Sequence, residues 1–217
     1  MKKILFLLLC LVTAGNLSAQ SLWDASPADQ AFTFGLRAGM NYASTDVDCA
    51  TSVRTGLHFG VSVDYNIIKS FSVSTGIYYV GKGFHGNQNI ASASELTESK
   101  ASASYVQVPV LASWRIEAPS GVRLHVNVGP YFAYGLGGTA NYRPLNLTFQ
   151  NYFEGDTFGE NGLLKRFDTG LSMGLMVQIG HFLAGASYEL GLTDVGHQVR
   201  FGAFHNRNAC MTVGYNF

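Results

Sequence analysis

Ala209-Cys210-Met211-Thr212-Val213-Gly214-Tyr215-Asn216-Phe217 ends the chain. Larger apolar side chains occupy every second position, small or polar ones lie between, and the final residue is aromatic. A soluble sandwich buries its apolar face and usually carries a tail beyond its last strand. A terminal strand that closes on an aromatic instead suggests a bacterial outer-membrane barrel. Working back from it, the same two-residue alternation recurs until about eight strands are counted, as such a barrel requires.

Strand one spans roughly Phe32 to Tyr42, with Phe32, Phe34, Leu36, Ala38, Met40 and Tyr42 on one face. Strand two sets Leu57 to Tyr65 against His58 to Asp64, and strand three sets Phe71 to Tyr79 against Ser72 to Tyr78. Strand four carries Val106 to Trp114 against Gln107 to Arg115, and strand five Val122 to Tyr134 against Arg123 to Tyr131. Strand six opposes Leu171 to Ile179 with Asp168 to Gln178. Strand seven opposes Phe182 to Leu190 with Leu183 to Glu189. Period two fits each run better than helical spacing does. Each is about ten residues long, the length of a tilted bilayer-spanning strand.

The connections alternate as well. Links near 66–69, 117–121 and 180–181 are short, whereas 43–54, 81–104, 135–166 and 193–207 are long and polar. Short periplasmic turns and long extracellular loops are the expected asymmetry, and an even count returns both termini to the periplasm. The reading is therefore all-β: an eight-stranded antiparallel up-and-down transmembrane β-barrel over residues 32–217.

Composition agrees. The chain of 217 residues is 47% hydrophobic, only 13% charged, and contains 25 glycines, whereas soluble domains carry about a quarter charged residues. Past the N-terminus no apolar run reaches the length of a transmembrane helix. Lys2-Lys3, the apolar run Ile4 to Val12 and Leu17-Ser18-Ala19 have the layout of a cleaved secretory signal. Residues 1–19 are accordingly read as signal and 20–31 as a short periplasmic segment. Removing the two lysines takes the net charge from 0 to −2, so no basic field gathers nucleic acid. Cys10 sits behind Leu9, where a lipidation motif needs a small residue.

Sorting the outer faces by height gives two aromatic belts: Phe32, Tyr65, Phe71, Trp114, Phe182, Tyr215 and Phe217 at the turn end, and Tyr42, Tyr79, Phe132, Tyr134 and Phe167 at the loop end. Amphipathic rings favour the headgroup level. Inward lie Arg37, Asp64, Arg115, Arg123, Asp168 and Glu189, three of each sign, with His58, His125, Gln107, Asn127 and Gln178. Eight strands leave a lumen that side chains fill, so these charges are expected to pair as a plug rather than to line a pore. The competing reading is a narrow ion path.

Neither catalysis nor a metal or cofactor is expected. His85, His197, His205, Asp194 and Glu95 fall in the long loops without the arrangement of nucleophile, base and orienting group. No His or Cys pair has ligand spacing. Cys49 in the first loop and Cys210 near the outer end of strand eight approach each other if the barrel closes, which leaves a disulfide open. Asn146-Leu147-Thr148 matches a glycosylation acceptor by coincidence. Phe149, Tyr152, Phe153 and Phe158 of the third loop either bind a partner or fold over the mouth.

Ser104-Tyr105-Val106-Gln107-Val108-Pro109-Val110-Leu111 resembles the fourth strand of the PorT-like group of Bacteroidota outer-membrane β-barrel proteins. Gly129 to Gly138, Phe167 to Ser172 and Tyr188 to Asp194 resemble its fifth, sixth and seventh strands. The resemblance implies insertion by the barrel-assembly machinery, here through the C-terminal strand ending at Phe217, with outer-membrane lipid as surroundings. It brings no catalytic residues, and one branch of the group assists a protein secretion system. An extracellular ligand or such a secretion partner is what the loops are expected to meet.

Overall fold

The computed structural model describes residues 23–45, 50–89, 96–118, 121–144, 153–158, 164–196 and 205–217. Its strands are β1 (Phe32–Thr45), β2 (Ala50–Ser52), β3 (Arg54–Ile68), β4 (Phe71–Asn89), β5 (Leu96–Glu117), β6 (Val122–Gly137), β7 (Thr139–Pro144), β8 (Phe153–Asp156), β9 (Phe167–Ile179), β10 (Phe182–Gly191) and β11 (Asn206–Asn216). Eight of them close a ring in the order β4-β3-β1-β11-β10-β9-β6-β5, with β5 returning to β4. All pairings are antiparallel, and the seam joins first to last, Gly35 opposite Asn216 and Thr45 opposite Asn206. Full closure removes the sheet edge, so the expected eight-stranded barrel is the observed fold.

Two tight turns require glycine. Gly180 has φ 59° at the first central position of the two-residue β9–β10 link, where Ile179 faces Phe182, the type II′ pattern. Gly121, at φ 77°, ends the β5–β6 link, where its N–H donates to the Ala118 carbonyl at 2.9 Å.

Burial is inverted relative to a soluble domain. Among the described residues, nineteen buried ones are polar or charged and eleven are hydrophobic. Phe34, Leu36, Phe59, Val61, Ile77, Val128, Met173, Ile179, Met211 and Val213 all point outward, and Phe182 is 69% exposed. Such a wall is stable only against hydrocarbon. At the turn end, Phe32 packs on Tyr65 at 5.2 Å and Tyr215 meets both Phe182 and Phe217 at 5.3 Å; Phe71 and Trp114 lie opposite each other in register. At the loop end, Phe59 stacks on Tyr79 at 5.2 Å. There Tyr134 faces Phe167 and Tyr42 faces Thr55.

The long links differ from irregular loops. β4 and β5 run as one ribbon far past Gly81, to Asn89 opposite Leu96. β2 adds to β4 at Ala50–Asn87, β7 adds to β5 at Ala101–Ala140, and β8 adds to β7. Their backbones therefore make a five-stranded sheet, β2-β4-β5-β7-β8, beyond the loop-end belt. β4 has 19 residues and β5 has 22, whereas about ten span a bilayer. At about 3.3 Å per residue, the surplus projects roughly 30 Å.

Residues 23–31, the described part of the expected N-terminal segment, are tied to the β3–β4 turn. The Asp24 N–H donates to Ser70 Oγ at 2.6 Å, the Lys69 N–H to the Ser26 carbonyl at 3.0 Å, and Asn66 Nδ2 to the Gln30 carbonyl at 2.9 Å. Lys69 pairs with Asp29 at 3.5 Å. Hydrogen bonds from Ser26 hold the Asp24 carboxyl below the usual carboxylate range.

Candidate functional site

The lumen holds three levels. At the loop end, inward positions of β5 and β6 present Ala103, Tyr105, Tyr131 and Ala133. Phe158, Leu164 and Val195 fold onto them from the two links that follow β8 and β10. Phe158 meets Tyr105 edge to face at 5.4 Å, and Tyr105, Tyr131 and Val195 are all 0% exposed. Backbone ties fix this cap: the Thr157 N–H to the Gly138 carbonyl at 3.0 Å, the Leu164 N–H to the Thr157 carbonyl at 3.0 Å, and the Lys165 N–H to the Val195 carbonyl at 2.8 Å. Thr157 Oγ1 donates to the Ser102 carbonyl at 2.7 Å. Of the third-loop aromatics, Phe158 thus folds over the mouth. Phe149 and Tyr152 lie outside the described residues, and Phe153 is described only through its backbone.

Gly135 is what admits Phe158. A Cβ there would stand 2.4 Å from the ring. Gly135→Val is expected to displace Phe158 from Tyr105 and lower stability by about 1–3 kcal/mol, the cost of overpacking. Thermal denaturation in detergent checks it, with Gly137→Val as control because nothing lies within 4 Å of that position.

Beneath the cap lies a buried ionic cluster. Lys82 Nζ stands 3.5 Å from Asp168 Oδ2 and 3.4 Å from Glu189 Oε2, and its charge lies 4.6 Å from the Tyr131 ring centroid. Asp168 also accepts from Asn206 Nδ2 at 2.9 Å and from the Tyr131 hydroxyl at 3.4 Å. Glu189 accepts from Gln107 Nε2 at 2.5 Å and from Asn208 Nδ2 at 3.0 Å. Burial of charges this deep is stable only with such pairing.

Lower still is an internal cavity of about 120 Å³ with Arg37, His58, Asp64, Gln107, His125 and Glu189 in its wall. Arg37 Nη2 donates to Asn216 Oδ1 at 2.7 Å, and its Nη1 to the Leu36 carbonyl at 3.1 Å. His125 Nε2 meets Gln178 Oε1 at 3.0 Å. Arg115 Nη2 donates to the Ile68 carbonyl at 3.2 Å near the turn end.

Of the inward residues read from the sequence, Arg37, His58, Asp64, Gln107, His125, Asn127 and Glu189 border the cavity and Asp168 belongs to the ionic cluster; there is one correction and one omission. Arg123 is not part of the polar column: its side chain is 43% exposed and pairs with Glu117 at 3.2 Å across the β5–β6 turn. It stands at the open end of its strand, where water competes. The missed residue is Lys82, the cation of the whole cluster. It continues the even-numbered inward row of Tyr78 and Val80 on β4, and that parity is the signal that could have found it. Cys210 is a free, buried thiol to which Asn208 Nδ2 donates at 3.2 Å. Cys49 lies outside the described residues.

Among the described residues one hydroxyl–imidazole pair stands out, His58 Nε2 with Thr212 Oγ1 at 3.0 Å. However, His58 Nδ1 has no hydrogen-bond partner, so the group that would orient a base is missing. Among the described residues no cluster of His, Cys, Asp and Glu can hold a metal ion. His197 and Glu95 fall outside those residues, and His85 is described only in its backbone, opposite Lys100.

The fold is similar to that of several solved proteins. Ail of Yersinia pestis, in complex with the heparin analogue sucrose octasulfate, is 15% identical, with 87% of this chain and 100% of that chain covered and a TM-score of 0.43. OprG of Pseudomonas aeruginosa is 12% identical over 90% of this chain and 99% of that one, with a TM-score of 0.43. Neisserial surface protein A is 11% identical over 87% and 98%, with a TM-score of 0.39. No curated protein matches the chain. The family described as outer membrane protein beta-barrel domain matches residues 19–196, most of the chain. With its closed ring of eight strands and its apolar outer wall, the chain belongs to that family and is an integral outer-membrane barrel.

Proposed function

We propose that this barrel is a non-enzymatic surface-binding protein: the lumen is a structural plug, and the sheet that rises beyond the rim is the recognition surface. The observation that carries the reading is the β4–β5 ribbon, about twice as long as a bilayer requires, flanked by β2, β7 and β8. A barrel that only anchored itself would have no use for strands of that length. Long loops at one end and short turns at the other support an orientation with the projecting sheet extracellular and both termini periplasmic. The signal layout of residues 1–19 fits this direction of export.

The motifs around Tyr105 to Leu111, Gly129 to Gly138 and Tyr188 to Asp194 favour the PorT-like group of Bacteroidota, with delivery by the barrel-assembly machinery through the strand ending at Phe217. Within that group a secretion-system partner is the second candidate for what the sheet meets. A narrow ion path is a separate reading, favoured only by the internal cavity. The buried aromatic cap above it argues the other way.

The test combines conductance with binding. Wild-type barrel in planar bilayers is expected to show no steady current. Nanodisc-embedded barrel is screened against glycan and peptide arrays with each long link shortened in turn. Shortening 84–101 is expected to abolish the hits. Steady wild-type conductance, or hits that survive every shortening, would overturn the proposal.

A further inference from the structure

We propose that the niche around Lys82 Nζ is a binding site for primary ammonium ions, filled in the resting barrel by the chain's own side chain. The inference deepens the plugged-lumen reading, because it states what the polar half of the plug recognises. Its walls carry the groups that recognise an R–NH3+ ion. Asp168 Oδ2 and Glu189 Oε2 lie at 3.5 and 3.4 Å. The ring centroids of Tyr131 and Tyr105 lie 4.6 and 5.5 Å away, within the range of cation–π attraction. Lys82, Asp168, Glu189 and both tyrosines are each more than nine-tenths buried.

Two features separate this niche from an ordinary ion pair. Its two carboxylates face a single cation, and the second oxygen of Asp168 has no hydrogen-bond partner, so acceptor capacity exceeds what one lysine uses. The carboxylates are also held by groups other than lysine: Asn206 on Asp168 at 2.9 Å, and Asn208 and Gln107 on Glu189 at 3.0 and 2.5 Å. Shortening Lys82 therefore leaves the receptor in shape, and a preorganised site binds without the cost of reordering its walls. Glu189 also borders the internal cavity of about 120 Å³, which gives a small amine a chamber beside the niche.

The experiment is chemical rescue. Lys82→Ala removes Cγ to Nζ, the atoms that n-propylammonium supplies. Variant and wild-type barrels are refolded into detergent micelles with n-propylammonium chloride, tetramethylammonium chloride or sodium chloride at equal ionic strength, and their melting temperatures are read. The variant is expected to melt well below wild type in sodium chloride and to regain more than half of that loss in saturating n-propylammonium. Tetramethylammonium, which has no N–H to donate, should restore little, and wild type should not respond.

Equal rescue by all three salts, an equal rise in wild type, or no response to the amine would overturn the proposal. If Lys82→Ala folds in none of them, Lys82→Ala/Glu189→Gln keeps the net cluster charge of wild type and decides: an amine-specific rise supports the site, and no rise overturns it. Wild-type conductance would sink the plug reading without touching this result.

Discussion

Lys82→Met is expected to lower the stability of the folded barrel by about 3–5 kcal/mol, the loss seen when one partner of a buried ion pair is removed. The substitution keeps most of the side-chain volume and deletes only the charge. Asp168 and Glu189 then face each other inside a wall that excludes water, with no cation between them. Glu189→Gln should cost much less, because Lys82 keeps Asp168 at 3.5 Å and the cluster moves from one excess negative charge to neutrality. In Lys82→Met/Glu189→Gln most of the single-variant loss should return. Urea titration of the refolded barrel in lipid vesicles measures all three. A Lys82→Met barrel no weaker than Glu189→Gln would remove the ionic cluster from the account of stability.

Val213→Arg tests the opposite surface. Val213 lies outward on β11, 60% exposed, between Ala38 and Ala184 in register and midway between the Phe217 and Tyr42 levels. In a soluble sheet an arginine at so open a position would change stability little. Against acyl chains it should cost about 2–4 kcal/mol, as arginine does near the bilayer midplane of a barrel. Thr212→Val, its inward neighbour, should cost less, since it removes only the hydroxyl that faces His58 at 3.0 Å. If Val213→Arg were neutral in vesicles, the outer wall would not be touching lipid there.

The ring of strands was legible because hydrocarbon imposes a rule on one residue in two. Where that rule acts, from Phe32 to Tyr42 or Leu171 to Ile179, the alternation is plain and the strands lie where it puts them. It lapses above the bilayer. Residues such as Phe84 to Asn89 and Leu96 to Ala101 still pair as strands, yet they run beyond the length that has to face hydrocarbon, so no alternation is imposed on them and they look like loop. Lys82 was lost because it lies past Gly81, where the outward row of its strand has already ended at Tyr79. The lumen pairings were less accessible still. Which acid meets which base depends on stagger between strands, and Arg37 met an asparagine and two carbonyls while Asp168 met a lysine from three strands away. Arg123 was misjudged because parity gives the side of the wall and says nothing of depth.

The seam between β1 and β11 imposes an order on biogenesis. Gly35 pairs with Ser62 on one side but lacks its second neighbour until Asn216 arrives, so the earliest ribbon to emerge from synthesis waits for the latest. An unfinished polypeptide carries two raw margins and an oily exterior, both adhesive to copies of itself. Safe passage to the bilayer therefore turns on how quickly the two margins meet compared with how often two copies collide.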